Sequence, residues 1–135
     1  MDHLFIYGLL QKEFSNPFSR MVGINVDYLG PCYVFGSLYE IDGYPGLIIS
    51  ENGIGKVHGT LCLIKELSLL KTLDTFEGVG TQYPEPNEYR REKITVFLGD
   101  QKIEAWTFLY NWAVQDENLI ESGNYISFCT RKNLS

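Results

Sequence analysis

Apolar and polar positions alternate along most of this chain, and one segment breaks the rhythm. His3–Tyr7 is a short, nearly continuous apolar run ending at Gly8, the pattern of a first strand buried on both faces. Gly8-Leu9-Leu10-Gln11 reads as the loop leaving it. Lys12–Met21 is polar and irregular, interrupted by Asn16-Pro17, with room for at most one helical turn afterwards. From Asn25 to Ile49 the alternation of strands resumes through Val26, Tyr28, Val34, Leu38 and Ile41. Breaks are expected at Gly30-Pro31 and at the hairpin-type dipeptide Asp42-Gly43. Tyr44–Ile49 continues as a strand, Glu51-Asn52-Gly53 turns, and Lys56–Ile64 alternates again. Tyr89–Leu98 and Ile103–Tyr110 flank Gly99-Asp100 as a second hairpin. Ile120–Tyr125 supplies a closing turn and an apolar end.

The exception is Glu66–Gly80, rich in Leu, Lys and Glu and therefore helical, with Gly78 placed to stop it. Many strands, regular turns and one clear helix predict an α+β fold. The expected architecture is an antiparallel barrel or strongly curled sheet with the helix packed alongside. At 135 residues a single domain spanning 1–135 is expected, with a chain long enough for a proper core.

The helix also carries the clearest chemical signal. Leu70, Leu73 and Glu77 follow one another at spacings of three and four and so share one face. If the leucines point inward, the Glu77 carboxylate points with them. It would then be desolvated, and it would face the negative end of the helix dipole. Both effects penalise the ionised form and raise the pKa, as suits a group that takes and returns a proton. The same position also suits an acid lying half out of the helix end in water, and the pattern leaves both open.

Composition narrows the classes. A net charge of -6 and scattered lysines and arginines argue against a nucleic-acid partner. Cys32, Cys62 and Cys129 lie far apart, and His3 and His58 stand alone, so no metal-ligand spacing is present. Reduced buried thiols, no membrane-spanning run and a first apolar run too short for a signal core lead to a cytoplasmic expectation. Ser37 sits mid-strand without a base nearby, and His58 reads as a strand histidine. One of Arg90 and Arg91 could bind an anion, although a solvated strand edge accounts for both. Tyr7-Gly8-Leu9-Leu10 is more suggestive, because a glycine just after a buried strand lets backbone N–H groups converge on an oxyanion.

These segments together resemble the gamma-glutamylcyclotransferase-like family across nearly the whole chain and in order. Tyr7-Gly8-Leu9-Leu10 is similar to the family's opening Tyr-Gly-Ser/Thr-Leu. Gly36-Ser37-Leu38-Tyr39, Tyr44-Pro45-Gly46-Leu47 and Val57-His58-Gly59-Thr60-Leu61 resemble its next landmarks. Leu73-Asp74-Thr75-Phe76-Glu77-Gly78 resembles its helix end. Tyr89-Arg90-Arg91, Ala105-Trp106 and Ile120–Tyr125 resemble its later strands and its close.

The resemblance implies a small antiparallel β-barrel with flanking helices and a cavity at one end. It also implies cyclisation of a small γ-glutamyl amine or peptide to 5-oxoproline, without metal or cofactor. Glu77 then corresponds to the catalytic acid, and Tyr7, Gly8, Leu9 and Leu10 to the substrate-holding loop, with Tyr44 and Tyr89 as candidate cavity walls. Leu9 stands where the family usually carries Ser or Thr, which makes a non-catalytic binding module of the same fold the alternative. Asn124 in place of Asp is a milder departure. Neither the leaving amine nor the oligomeric state follows from the sequence.

Overall fold

The computed structural model describes residues 2–50 and 52–134, with side chains for all of these except 132–134. Six strands, β1 (His3–Ile6), β2 (Val26–Ile41), β3 (Tyr44–Ile49), β4 (Lys56–Ile64), β5 (Tyr89–Leu98) and β6 (Gln101–Tyr110), lie in the order β3-β2-β4-β1-β6-β5. A further pairing, Tyr33 opposite Phe97, joins β2 to β5. The sheet therefore closes into a five-stranded barrel, with β3 as an extra strand on β2. Pairing is antiparallel throughout except where β1 runs parallel to β6, with Leu4 opposite Trp106, so the expected antiparallel barrel is a mixed one.

The alternation of β1 explains why it reads as continuously apolar. Phe5 and Tyr7 point into one buried cluster with Val34, Leu38, Leu61 and Val96. Leu4 and Ile6 point into a second cluster with Val22, Leu70, Leu73 and Phe108. A strand with apolar partners on both faces has no polar positions to show.

Among the described residues three α-helices accompany the barrel, α1 (Pro17–Asn25), α2 (Ser68–Glu77) and α3 (Tyr125–Leu134). The single turn expected after Asn16-Pro17 is in fact the nine-residue α1. Asn16 caps it, accepting a bond from the Ser19 amide at 2.8 Å while the Ser19 hydroxyl accepts from the Asn16 amide, and Pro17 fits the first turn. Val22 then anchors it to the core, fully buried. The apolar end expected around Tyr125 opens α3, whose first turn receives an Asn124 cap on Ser127 N.

The expected break at Gly30-Pro31 is a bulge between Tyr28 and Gly30, across which β2 continues unbroken. Asp42-Gly43 does form the tight hairpin, with φ of 47° and 94°, and Gly99 turns the β5–β6 hairpin. The expected Glu51–Gly53 turn falls partly on Glu51, which lies outside the described residues.

Candidate active site

Helix α2 stops where its sequence says it should. Gly78 adopts a left-handed conformation, φ 70°, and its amide closes on the last turn, a geometry that costs glycine nothing. Leu70 and Leu73 are buried, and Glu77, the last helical residue, is carried to the same side. There it lines a cavity of about 250 Å³. Burial first, and the neighbouring Glu88 carboxylate second, push the Glu77 carboxyl up to about 7. Of the two readings open from the sequence, the desolvated one describes this acid.

An ion pair fixes the helix over the barrel. Arg91 of β5 grips Asp74, one turn before Glu77, through Nε at 2.7 Å and Nη2 at 3.1 Å. The same guanidinium lies 4.6 Å above the ring of Trp106 on β6. Arg91 is therefore neither a solvated edge nor a free anion site. It is the clamp between helix and sheet, with both partners largely buried. Arg90 is engaged outside, by Glu92 and by Asn111.

Another part of the cavity wall is the turn after β1. Gln11 N–H returns to the Gly8 carbonyl at 3.1 Å, and its side-chain amide reaches the same oxygen at 3.3 Å. A turn of this kind uses its first carbonyl and last amide, leaving the N–H groups between them uncommitted to it. Gly8 is required for space, since a Cβ there would meet Pro45 Cγ at 2.5 Å. From outside, the Asn16 side chain donates to the Leu9 carbonyl at 2.9 Å while capping α1. One amide thus joins the start of a helix to the candidate substrate loop.

All the residues expected to form the site, Tyr7, Gly8, Leu9, Leu10, Tyr44, Glu77 and Tyr89, line this one cavity. The tyrosines differ in what their hydroxyls do. Tyr7 donates to the Phe108 carbonyl at 2.6 Å and Tyr89 to the Pro45 carbonyl at 2.7 Å, so both present rings, with their phenols committed to the frame. Burial, and then in each case the Glu77 carboxylate among the nearby groups, holds both above the usual phenol range, so both stay neutral donors. Tyr44 donates instead to Glu88 at 2.6 Å, a bond that is the first cause of its own raised pKa.

Glu88, Phe76 and Thr107 also line the cavity and were not singled out from the sequence. Thr107 is fully buried and donates to the Phe5 carbonyl at 2.9 Å. Phe76 meets Phe18 of α1 with ring centroids 4.0 Å apart, linking the two helices at the cavity edge. Glu88 directly precedes Tyr89, a position with no local signal of its own. Ser37 and His58 lie elsewhere, and among the described residues no cluster of metal-ligating side chains occurs.

A small mixed barrel thus carries a helix-borne acid, its pKa raised by burial, and a glycine turn on the wall of one cavity. Residues 4–127 match the family described as gamma-glutamyl cyclotransferase, AIG2-like, and the chain belongs to it. It is 31% identical over 124 residues to the gamma-glutamylcyclotransferase family protein ytfP of Citrobacter rodentium, covering 91% of this chain and 94% of that one. The solution structure of ytfP from Escherichia coli superposes with a TM-score of 0.65 at 27% identity, over 94% of this chain and 98% of the other. An AIG2-like protein from Mus musculus has the same fold, with a TM-score of 0.66 at 20% identity, over 93% and 88% of the two chains. No described helix is long and apolar enough to cross a membrane.

Proposed function

We propose that this protein is a γ-glutamyl cyclotransferase that converts the γ-glutamyl group of a small γ-glutamyl amide to 5-oxoproline and releases the amine. The observation that carries the reading is the Glu77 carboxyl, its pKa pushed up to about 7 by burial, in a cavity that the Tyr7–Leu10 turn also lines. Family membership and the names of its relatives support the same class of reaction.

The chemistry needs only positioning and proton transfer. Ionised Glu77 takes a proton from the substrate's α-ammonium, and the freed amine attacks its own γ-carbonyl carbon. The C–N bond to the leaving amine then breaks as Glu77 delivers a proton to the departing nitrogen. In all, two protons leave the α-nitrogen and two reach the leaving group, which departs as an ammonium. An acid with pKa near neutrality does both halves well. Amides of the turn hold the α-carboxylate and keep the chain curled for five-membered ring closure, the source of most of the rate gain.

Leucine at position 9 favours a second reading, a binding module in which the cavity persists without turnover. A side-chain hydroxyl is missing there, although the backbone amides of the turn do not depend on it. The two readings part on 5-oxoproline release from γ-glutamyl amines, γ-glutamyl amino acids and glutathione, with wild type and Glu77→Gln side by side. Turnover that disappears in the variant supports the enzyme. Absence of turnover with both proteins folded supports the binding module, and equal turnover removes Glu77 from the mechanism.

A further inference from the structure

The cavity contains two acids, and the reaction proposed above uses one. Glu88 lies just before β5, and its backbone is pinned on both sides. Its carbonyl accepts from Asn111 N at 2.8 Å, and the next residue, Tyr89, is tied to Pro45. Its carboxylate lines the cavity with Glu77 and accepts the 2.6 Å bond from Tyr44. Among the described residues no lysine, arginine or histidine lines the cavity. The cavity is rich in aromatic rings, among them Tyr44, which bonds Glu88, and Tyr89, which follows it in sequence, with ring centroids 6.3 Å apart, together with Phe76 and Phe108.

The γ-glutamyl head of a substrate brings one ammonium, for Glu77, and one carboxylate, for the turn. Whatever follows the amide nitrogen must share the cavity with Glu88. A carboxylate there meets a like charge in a partly desolvated site, and a neutral alkyl chain gains nothing from it. An ammonium pairs with Glu88 and is also attracted by the ring faces beside it. A role limited to holding Tyr44 does not require charge, since an amide oxygen accepts the same bond. We propose that Glu88, oriented by Tyr44, is a specificity-determining residue that selects γ-glutamyl amides whose leaving amine bears a second positive charge, the mono-γ-glutamyl amides of diamines and polyamines. This assignment rests on the cyclotransferase reading of the cavity and deepens it.

The test uses three γ-glutamyl amides of one chain length, made from 1,4-diaminobutane, butylamine and 4-aminobutyrate. They end in a positive, a neutral and a negative group. Binding by calorimetry and 5-oxoproline release are measured for wild type, Glu77→Gln and Glu88→Gln. The diamine amide is expected to exceed the butylamine amide by about tenfold, in affinity and in kcat/KM, with the aminobutyrate amide below both. Glu88→Gln, which keeps an acceptor for Tyr44, should bring these ratios close to one.

Equal ratios in wild type, or unchanged ratios in Glu88→Gln, overturn the assignment. If Glu88→Gln does not fold, raising the ionic strength tests the same point, because salt should narrow the wild-type preference and a preference indifferent to salt is not one of charge. Ordered binding without 5-oxoproline upholds the role of Glu88 and removes the cyclotransferase reading. Turnover without charge preference does the reverse, and neither binding nor turnover ends both.

Discussion

Glu77 and Glu88 are the same residue type in the same cavity, and their surroundings differ. Glu77 ends a helix whose other inward residues are leucines, so burial governs it and its proton is held to about pH 7. Glu88 stands at the mouth of a strand and has a tyrosine donor 2.6 Å away. A carboxyl walled in by apolar side chains has its pKa raised and can exchange its proton near neutrality. The contrast shows why the acid of a site cannot be chosen by residue type, nor even by its presence in the right cavity.

The largest expected effect separates the two acids at once. Glu77→Gln should lower 5-oxoproline formation by about 10²–10⁴-fold, the usual worth of a general acid–base group, at an unchanged fold by circular dichroism. Glu88→Gln should act mainly on the ratio between substrates, as set out above.

Next in size is the clamp that aims Glu77. Arg91→Ala leaves Asp74 as an unpaired, largely buried carboxylate and uncovers the Trp106 ring. A loss of about 1–3 kcal/mol in urea unfolding is expected. Activity should fall with it, whereas Arg90→Ala, at an exposed pair, should leave stability within about 0.5 kcal/mol.

The pH dependence sharpens the comparison further. In the proposed mechanism Glu77 acts as the base and must be ionised, so kcat/KM should rise with pH through about 7 and then level off. Because the Glu88 charge is the second cause of that high pKa, Glu88→Gln should move the rise to lower pH. Stability runs the other way. The Glu77 pKa is raised from 4.5 in the unfolded chain to about 7 in the folded one. Its favourable contribution is therefore complete below pH 4.5 and lost as pH climbs through 7. Relative to wild type, Glu77→Gln should be equally stable at pH 4 and more stable at pH 8 by about 1–2 kcal/mol, a figure reduced for the partial exposure of the carboxyl. Equilibrium unfolding at the two pH values decides it.

The smallest effect probes the turn after β1. Asn16→Asp keeps a good cap for α1 but replaces the donor to the Leu9 carbonyl with an oxygen. KM should rise several-fold while Tm changes by only a few degrees. A fall in Tm with unchanged KM would mean that Asn16 serves the helix alone.

Much of the candidate cavity's lining was legible because its signals are local. The spacing Leu70-Leu73-Glu77 fixes a helix face, Gly78 fixes the helix end, and a buried strand followed by Gly8 fixes a turn, all within a few residues of chain. Both hairpins were legible for the same reason, through Asp42-Gly43 and Gly99-Asp100. Helix α1 exceeds the single turn expected although its start signal, Asn-Pro followed by Ser19, is present; the polar stretch around it hid an inward face whose buried residues are the polar Ser19 and the single apolar Val22. Helix α3 was missed in the same way.

The rest depends on contacts between distant parts of the chain. Arg91 becomes a clamp only when β5 lies under α2, and Tyr44 finds Glu88 across 44 positions of sequence. The parallel join of β1 to β6 pairs residues about a hundred positions apart and has no pattern of its own. By itself the sequence determined which segments are strands, where the main helix stops and which acid it turns inward, because periodicity and backbone preference act over one or two turns. The tertiary structure alone decided that a second acid faces the same cavity, because that is set by barrel closure, which no short stretch of chain encodes.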